Sequence, residues 1–446
     1  MPMRMALRIL IGVAILALVA QTWLVMGVVA PVVVAGGSMA PNLVGEHYHV
    51  VCRACGRPFD CGLESLPSEP RALCPSCGSW CALDAAEVKP GERLLVDRTA
   101  FARSAPRRWS LVVCPLPEDS DRLCVKRVVG LPGERISLTD GDVYVNGKIL
   151  RKDWDVLQSM SILVDSADYQ AQGTASRWRA DRADSGWHAE KNCLTRDEPS
   201  PAGSFNAESD GKSHDASLPI DPSERIDWLT YHHEQIWRQG AAVVRRTGPI
   251  VDDLAYNQSE SRELLSVPDV VLACKLKTAG RGKAFLRMDD GRKQFVVRTD
   301  LATRQGDVRD GENVLASFVL PSSLDFGLGC AVASALADCR LQLRVAGEPV
   351  VDYRYDPQDC GPRRPTAEPV AIGVADMRLV VSDWMLSRDI YYLPPPGKAE
   401  LEARQLDANE YWLLGDNTAV SEDSRTWPGT VHVTRDALIG SVLSGR

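Results

Sequence analysis

Ser38 stands in the run Gly36-Gly37-Ser38-Met39-Ala40-Pro41, a single hydroxyl placed directly after a long apolar stretch. A serine is no nucleophile at neutral pH by itself; it needs a neighbouring base to take its proton and donors to hold the developing oxyanion. The chain has no Gly-x-Ser-x-Gly elbow, and among its seven histidines His47, His49, His188 and His432 stand in no triad context. Lys126 is the better base. It lies among apolar, β-branched residues in Cys124-Val125-Lys126-Arg127-Val128-Val129-Gly130, where burial disfavours the ammonium and leaves the lone pair a general base needs. A third cluster follows near the end of the chain, Gly415-Asp416-Asn417 and then Ser421-x-Asp423-Ser424-Arg425. Taken singly, each piece has a plain alternative. A serine in a glycine-rich loop is usually a turn residue, a strand lysine usually faces solvent, and Arg127, Asp416, Asp423 and Arg425 would pass for surface ion pairs.

A second chemistry is written in cysteine. Cys52-x2-Cys55-Gly56 and Cys74-x2-Cys77-Gly78, with 18 residues between Cys55 and Cys74, have the spacing of a two-knuckle zinc ribbon, with Cys61 and Cys81 as alternative thiols. Four thiolates would leave no open position, so such a zinc is structural. Outside the cytosol the same six cysteines could instead pair as three disulfides.

These residues need elements to position them. Residues 5–37 carry one charge, Arg8, and the uncharged part exceeds the ~20 residues that take a helix across a bilayer. Arg4 and Arg8 precede it and little positive charge follows until Arg53, which places the N-terminus in the cytoplasm and the bulk outside. The length favours an uncleaved anchor over residues 1–35 rather than a signal peptide, whose apolar part runs ~7–15 residues, with Pro31 ending the helix. Residues 94–96, 111–113 and 124–129 read as strands, and 143–148 as a hairpin through Asn146-Gly147. From 152 to 225 the pattern dissolves into Ser, Asp, Arg and Gly and reads as loop-rich. Strand-like runs return at 270–276, 284–287, 294–298, 314–319, 339–345, 350–355 and 371–381, the spacing of a β-sandwich.

The expected architecture is mainly β. It has a transmembrane anchor (1–35), a catalytic domain in three pieces (36–51, 88–151 and 391–446), a Cys-rich knuckle (52–87) and an inserted loop-rich and sandwich domain (152–390). At 446 residues the chain is too long for one core. A net charge of -8 and pI near 5.5 give no basic footprint, which excludes nucleic acid as a partner of the usual electrostatic kind. Thirteen cysteines, an odd number, leave at least one unpaired, metal-bound or bridged elsewhere.

Ser38-Met39-x-Pro41 after an apolar segment, Lys126-Arg127-Val128-Val129-Gly130-Leu131-Pro132-Gly133, and the Gly415–Arg425 cluster occur in that order. Over residues 1–51, 88–150 and 408–446 the chain resembles the type I signal peptidase family, membrane-bound Ser/Lys endopeptidases that remove signal peptides from exported proteins. The resemblance implies Ser38 as nucleophile, Lys126 as general base and Ser421 as the residue orienting the lysine. It implies that Asp416, Asp423, Arg127 and Arg425 hold the loops, and that Met39 packs beneath a small P1 residue. The Ser38 N–H is the implied oxyanion donor, and Gly415 and Gly130 allow close backbone approach. Gly36 stands where some members carry a hydroxyl, and Asn42 where Thr is common. Cleavage after Ala-x-Ala, no catalytic cofactor, a cell (inner) membrane location, and preproteins, the bilayer and the secretion translocon as partners follow from the same resemblance. Within the insert, residues 345–353 and 376–382 are similar to concanavalin/laminin-G jelly rolls, which often bind carbohydrate or protein. Two alternatives remain open: a membrane-tethered binding protein with a relic peptidase core, and a dedicated processing peptidase for pilin or conjugation substrates.

Overall fold

The computed structural model describes residues 2–22, 27–66, 69–117, 119–190, 192–197, 225–428 and 433–443. The β-branched runs read above as strands form an antiparallel seven-stranded sheet. Its order is Val29–Val33, Arg93–Asp97, Gly440–Leu443, Leu111–Leu116, Asp119–Gly130, Glu410–Leu414, Val433–Thr434. The sheet is stitched from three distant stretches, so the strand carrying Lys126 lies between Leu111–Leu116 and the late Glu410–Leu414. A four-stranded sheet of Lys148–Ile149, Asp142–Val145, Arg135–Thr139 and Leu401–Gln405 accompanies it, and Val129, Ile136, Leu138, Val143, Trp412 and Leu414 share a core between the two.

The apolar N-terminal run is not one helix. The helix Pro2–Thr22 is followed at Val29–Val33 by an edge strand pairing with Arg93–Asp97, so Pro31 lies inside a strand, where an edge tolerates its missing N–H. Within the helix the unbroken apolar part, residues 9–20, is about 18 Å long at 1.5 Å per residue, against ~30 Å of hydrocarbon. Among the described residues no helix is long and apolar enough to cross a membrane. Residues 1 and 23–26 of the expected anchor lie outside the described residues.

An eight-stranded and a second seven-stranded antiparallel sheet carry most of the expected insert. Leu194, Leu272, Leu336, Leu343 and Val381 of the former and Trp178, Tyr231, Met288, Phe295 and Ile372 of the latter belong to one buried core. The two layers form a sandwich. Two expectations are corrected here. Residues 371–381 are not one strand: Val370–Ala375 belongs to one sheet and Arg378–Arg388 to the other, the chain reversing at Asp376 with φ 57°. The stretch 152–225 is not simply loop. It holds the helix Trp154–Met160 and strands Ile162–Ser166, Trp178–Ala180, Trp187–Glu190 and Cys193–Arg196, with Trp178 and Trp187 buried as sandwich core; residues 191 and 198–224 lie outside the described residues.

Candidate active site

Lys126 sits opposite Val112 in the sheet, is 2% exposed, and its Nζ donates to Ser421 Oγ at 3.0 Å. A hydroxyl, not a carboxylate, is therefore its hydrogen-bond partner. Ser421 is brought there by the strand Glu410–Leu414, whose Leu413 and Leu414 pair with Val128 and Arg127. Beyond it Gly415 leaves room for the Ser38 loop: a Cβ at Gly415 would lie 2.1 Å from Ser421 Oγ and 2.5 Å from the Ser38 carbonyl oxygen. Only glycine fits between the two. The Asn417 N–H donates to the Ser38 carbonyl at 3.0 Å, and its side chain donates to the Gly37 carbonyl at 3.0 Å. Ser38 itself is half-buried, while Met39, 1% exposed, packs with Val34, Leu43, Leu94 and Val125 beneath the loop. Pro41 follows a cis peptide bond, and Asn42 donates to Asp416 at 2.9 Å.

The four charged residues form no surface cluster. Arg127 grips Asp416 through Nε at 2.8 Å and Nη2 at 2.5 Å, and Arg425 grips Asp423 at 2.8 and 2.7 Å, all four being buried. Asp423 also accepts the Gly415 N–H at 3.0 Å. Burial alone would raise the Asp423 carboxyl, but the Arg425 guanidinium and its hydrogen bonds outweigh burial and hold it below the usual carboxylate range. The Arg127–Asp416 fork thus pins the segment 415–425 to the lysine strand, and the Arg425–Asp423 fork braces that segment internally. Gly130 serves the core: a Cβ there would lie 2.6 Å from Trp412 Cβ.

Three residues that sequence reading did not single out complete the loop. Asn257 and Asn417 exchange side-chain amide hydrogen bonds at 2.8 Å in both directions. The Tyr256 ring lies over Gly37 and Gly62, where a Cβ would come within 2.4 and 2.3 Å of it. Glu64 accepts the Gly37 N–H at 3.3 Å, and its carboxylate lies 3.5 Å from where a Gly36 side chain would begin. That space therefore holds an acceptor, not a donor. Tyr256 and Asn257 belong to the insert and reach Ser38 only through folding; no local pattern in the sequence marks them.

Cys52, Cys55, Cys74 and Cys77 form one buried cluster, with Cys52 Sγ 3.5 Å from Cys77 Sγ and Cys55 Sγ 3.6 Å from Cys74 Sγ. The three-disulfide pairing is not adopted: all six cysteines of the block are free thiols. Cys61 and Cys81 stand outside the cluster, Cys81 pointing to the Ser79 carbonyl. Each knuckle turns on a glycine of positive φ, 77° at Gly56 and 66° at Gly78, and closes by an N–H bond back to Cys52 or Cys74 at 2.8 and 2.9 Å. The sulfur separations approach the roughly 3.8 Å edge of a tetrahedron with 2.3 Å metal–sulfur bonds. The thiols are not uniform: burial pushes Cys55 up to about 12 and raises Cys74, whereas at Cys52 the N–H groups of Cys55 and Ala54, with the Cys77 and Cys74 thiols, outweigh burial and bring the group down to about 7. The donor set fits a structural metal.

Residues 84–186 match the family described as signal peptidase, peptidase S26. The match contains Lys126 but neither Ser38 nor Ser421. Among relatives, a probable signal peptidase I-2 of Synechocystis sp. (strain ATCC 27184 / PCC 6803 / Kazusa) is 32% identical over 69 residues, 14% of this chain and 31% of the relative. Signal peptidase I V of Bacillus subtilis (strain 168) is 38% identical over 58 residues, 13% of this chain and 33% of the relative. The chain thus spans about a third of the length of the curated relatives it matches. Among solved structures, the carbohydrate binding module CBM66 from Bacillus subtilis aligns at 11% identity with a TM-score of 0.27, covering 48% of this chain and 96% of the module.

Proposed function

We propose that this chain is a membrane-associated serine endopeptidase of the signal peptidase type, cleaving signal peptides from exported preproteins after small residues of Ala-x-Ala type. The observation that carries it is the Lys126 amine, buried and donating to the Ser421 hydroxyl, with Gly415 letting the Ser38 loop approach Ser421 closely. In the first half-reaction neutral Lys126 takes the Ser38 Oγ proton as Oγ bonds to the scissile carbonyl carbon, the Ser38 N–H receiving the oxyanion. The C–N bond then breaks, Lys126 returns the proton to the leaving amine, and the mature chain departs. In the second half water loses a proton to Lys126 as its oxygen bonds to the acyl carbon, the ester C–Oγ bond breaks, and Lys126 returns the proton to Ser38 Oγ. Ser421 keeps the lysine aimed through both halves, and the Asp416–Arg127 and Asp423–Arg425 pairs keep the loops in register.

The membrane part of the reading rests on the helix Pro2–Thr22, whose Met5, Ile9, Leu10, Leu16 and Leu18 are more than half exposed. A helix apolar all round is stable when lipid covers it. Held at the membrane by that helix, the enzyme would meet preproteins where they leave the translocon. Zinc is the proposed occupant of Cys52, Cys55, Cys74 and Cys77, holding the knuckle beside the Ser38 loop. The experiment is cleavage of a preprotein in detergent by purified wild type, Ser38→Ala and Lys126→Ala. Loss of cleavage in both variants supports the reading, and full activity in both eliminates it.

A further inference from the structure

Directly after the Ser38 loop, the strand His47–Val51 puts His47 and His49 on one face, and the paired strand Pro58–Gly62 sets Asp60 opposite His49. Both imidazoles converge on one carboxylate oxygen: His49 Nδ1 lies 2.8 Å and His47 Nε2 3.4 Å from Asp60 Oδ1. Three ligand atoms of the kind that bind metals thus lie within 4.8 Å of one another. His47 is the informative member. Its Nδ1 is 2.7 Å from the Gly45 carbonyl oxygen, which can only accept, so Nδ1 carries a hydrogen. In the neutral ring Nε2 is then a bare lone pair facing another acceptor, an arrangement that asks for a cation between them. A backbone carbonyl on the far ring nitrogen is the outer-shell partner that metal-ligating histidines ordinarily have. The separations also fit: ligand atoms bonded to one metal at 2.0–2.1 Å lie roughly 2.9 Å apart in an octahedron and roughly 3.4 Å apart in a tetrahedron.

We propose that His47, His49 and Asp60 form a second metal site, distinct from the cysteine cluster, for a borderline divalent ion such as Zn2+ or Co2+, the class that a two-imidazole, one-carboxylate donor set selects. Three protein ligands leave a coordination position open. Asp60 also lines a cavity of about 660 Å³ that reaches Pro41 and Val44 of the Ser38 loop, so water or a carbonyl oxygen has access to that position. The site is tied to the loop itself. The carbonyl that fixes His47 belongs to Gly45, where a Cβ would lie 2.4 and 2.8 Å from the carbonyl oxygens of Ala35 and Gly36. An ion bound here braces the turn that presents Ser38.

The test uses the full chain in detergent, stripped with a chelator, dialysed against micromolar free Zn2+ and analysed for zinc, as wild type, His49→Gln and Asp60→Asn. Both substituted side chains are about one-third exposed in the native fold, so both variants should fold. The expected result is that each variant holds one zinc equivalent fewer than wild type, whatever the filling of the cysteine cluster. Loading with Co2+ separates the sites. The thiolate-to-cobalt charge-transfer band reports the cysteine cluster and a folded knuckle in every variant, and the weak visible bands of the second equivalent vanish in both. Equal zinc content in all three proteins, with cobalt bands of thiolate type only, would overturn the proposal.

Discussion

Among the described residues two lysines are buried, and they keep opposite company. Lys126 is 2% exposed and donates to a hydroxyl. Lys152 is 4% exposed and lies between two buried carboxylates, 2.9 Å from Asp338 Oδ1 and 2.7 Å from Asp389 Oδ2. At Lys152 the two carboxylates overcome burial and raise the group well above the ordinary lysine value, so it is a fixed charge clamping the end of the first β region to the sandwich. At Lys126 the charged residues of the neighbourhood are already committed in pairs, Asp416 to Arg127 and Asp423 to Arg425. The neighbours of Lys126 are thus paired with each other, whereas those of Lys152 are paired with the amine itself.

Exchanging each lysine for methionine breaks the comparison most sharply. Lys126→Met removes the proposed base from a pocket that accepts an apolar side chain, so cleavage should fall by about 10²–10⁴-fold while the unfolding midpoint holds. Lys152→Met leaves Asp338 and Asp389 buried without their cation, a loss of about 3–5 kcal/mol, while turnover per folded molecule holds. Preprotein cleavage and chemical denaturation on both variants check this. A catalytic defect in Lys152→Met at full folding, or mere destabilisation in Lys126→Met, would reverse the assignment.

Smaller losses should follow from what surrounds Lys126. Ser421→Ala leaves the amine present but unaimed, with an expected ~10–100-fold fall in kcat at nearly constant KM. Asn257→Ala removes the insert's grip on Asn417 and strands a buried amide, about 1–3 kcal/mol. It should lower kcat several-fold by loosening the Gly37–Ser38 carbonyls, and restoring part of the activity in Asn257→Gln would mark it as a positioning residue. An Asn257→Ala enzyme with unchanged kcat would mean that the insert leaves the Ser38 loop alone.

How far the sequence reveals this arrangement depends on range. The strand carrying Lys126 and the Asn146-Gly147 hairpin are visible because alternation and turn chemistry are local. The Cys-x-x-Cys-Gly knuckles are visible because the glycines needed for positive φ are adjacent to the ligands. The N-terminal run misleads because composition does not distinguish apolar helix from apolar strand, and Val29–Val33 joins a sheet whose partner, Arg93–Asp97, lies sixty residues on. Residues 371–381 mislead because an unbroken β-branched pattern conceals the reversal at Asp376. Tyr256, Asn257 and Glu64 are illegible from local sequence, since their only relevance to Ser38 is spatial.

A third buried base sharpens the contrast from the sandwich side, with the smallest expected effect. His233 is 8% exposed, and Tyr231 Oη lies 3.1 Å from its Nδ1. Burial, with Arg177 and Arg388 adding repulsion, lowers it to about 3. It is therefore neutral in the fold, whereas in the unfolded chain it titrates near the ordinary value of about 6.5. A depressed value gives stability that is complete above pH ~6.5 and is lost as the pH falls toward 3, at about 1.4 kcal/mol per pH unit. Between pH 7.5 and 5.5 wild type should thus lose about 1.4 kcal/mol more than His233→Gln, which has nothing to protonate there. Urea unfolding of both proteins at the two pH values measures the difference. Parallel losses would mean that the imidazole finds water or a carboxylate when charged, and that burial does not hold this base neutral in the way that two carboxylates hold Lys152 charged.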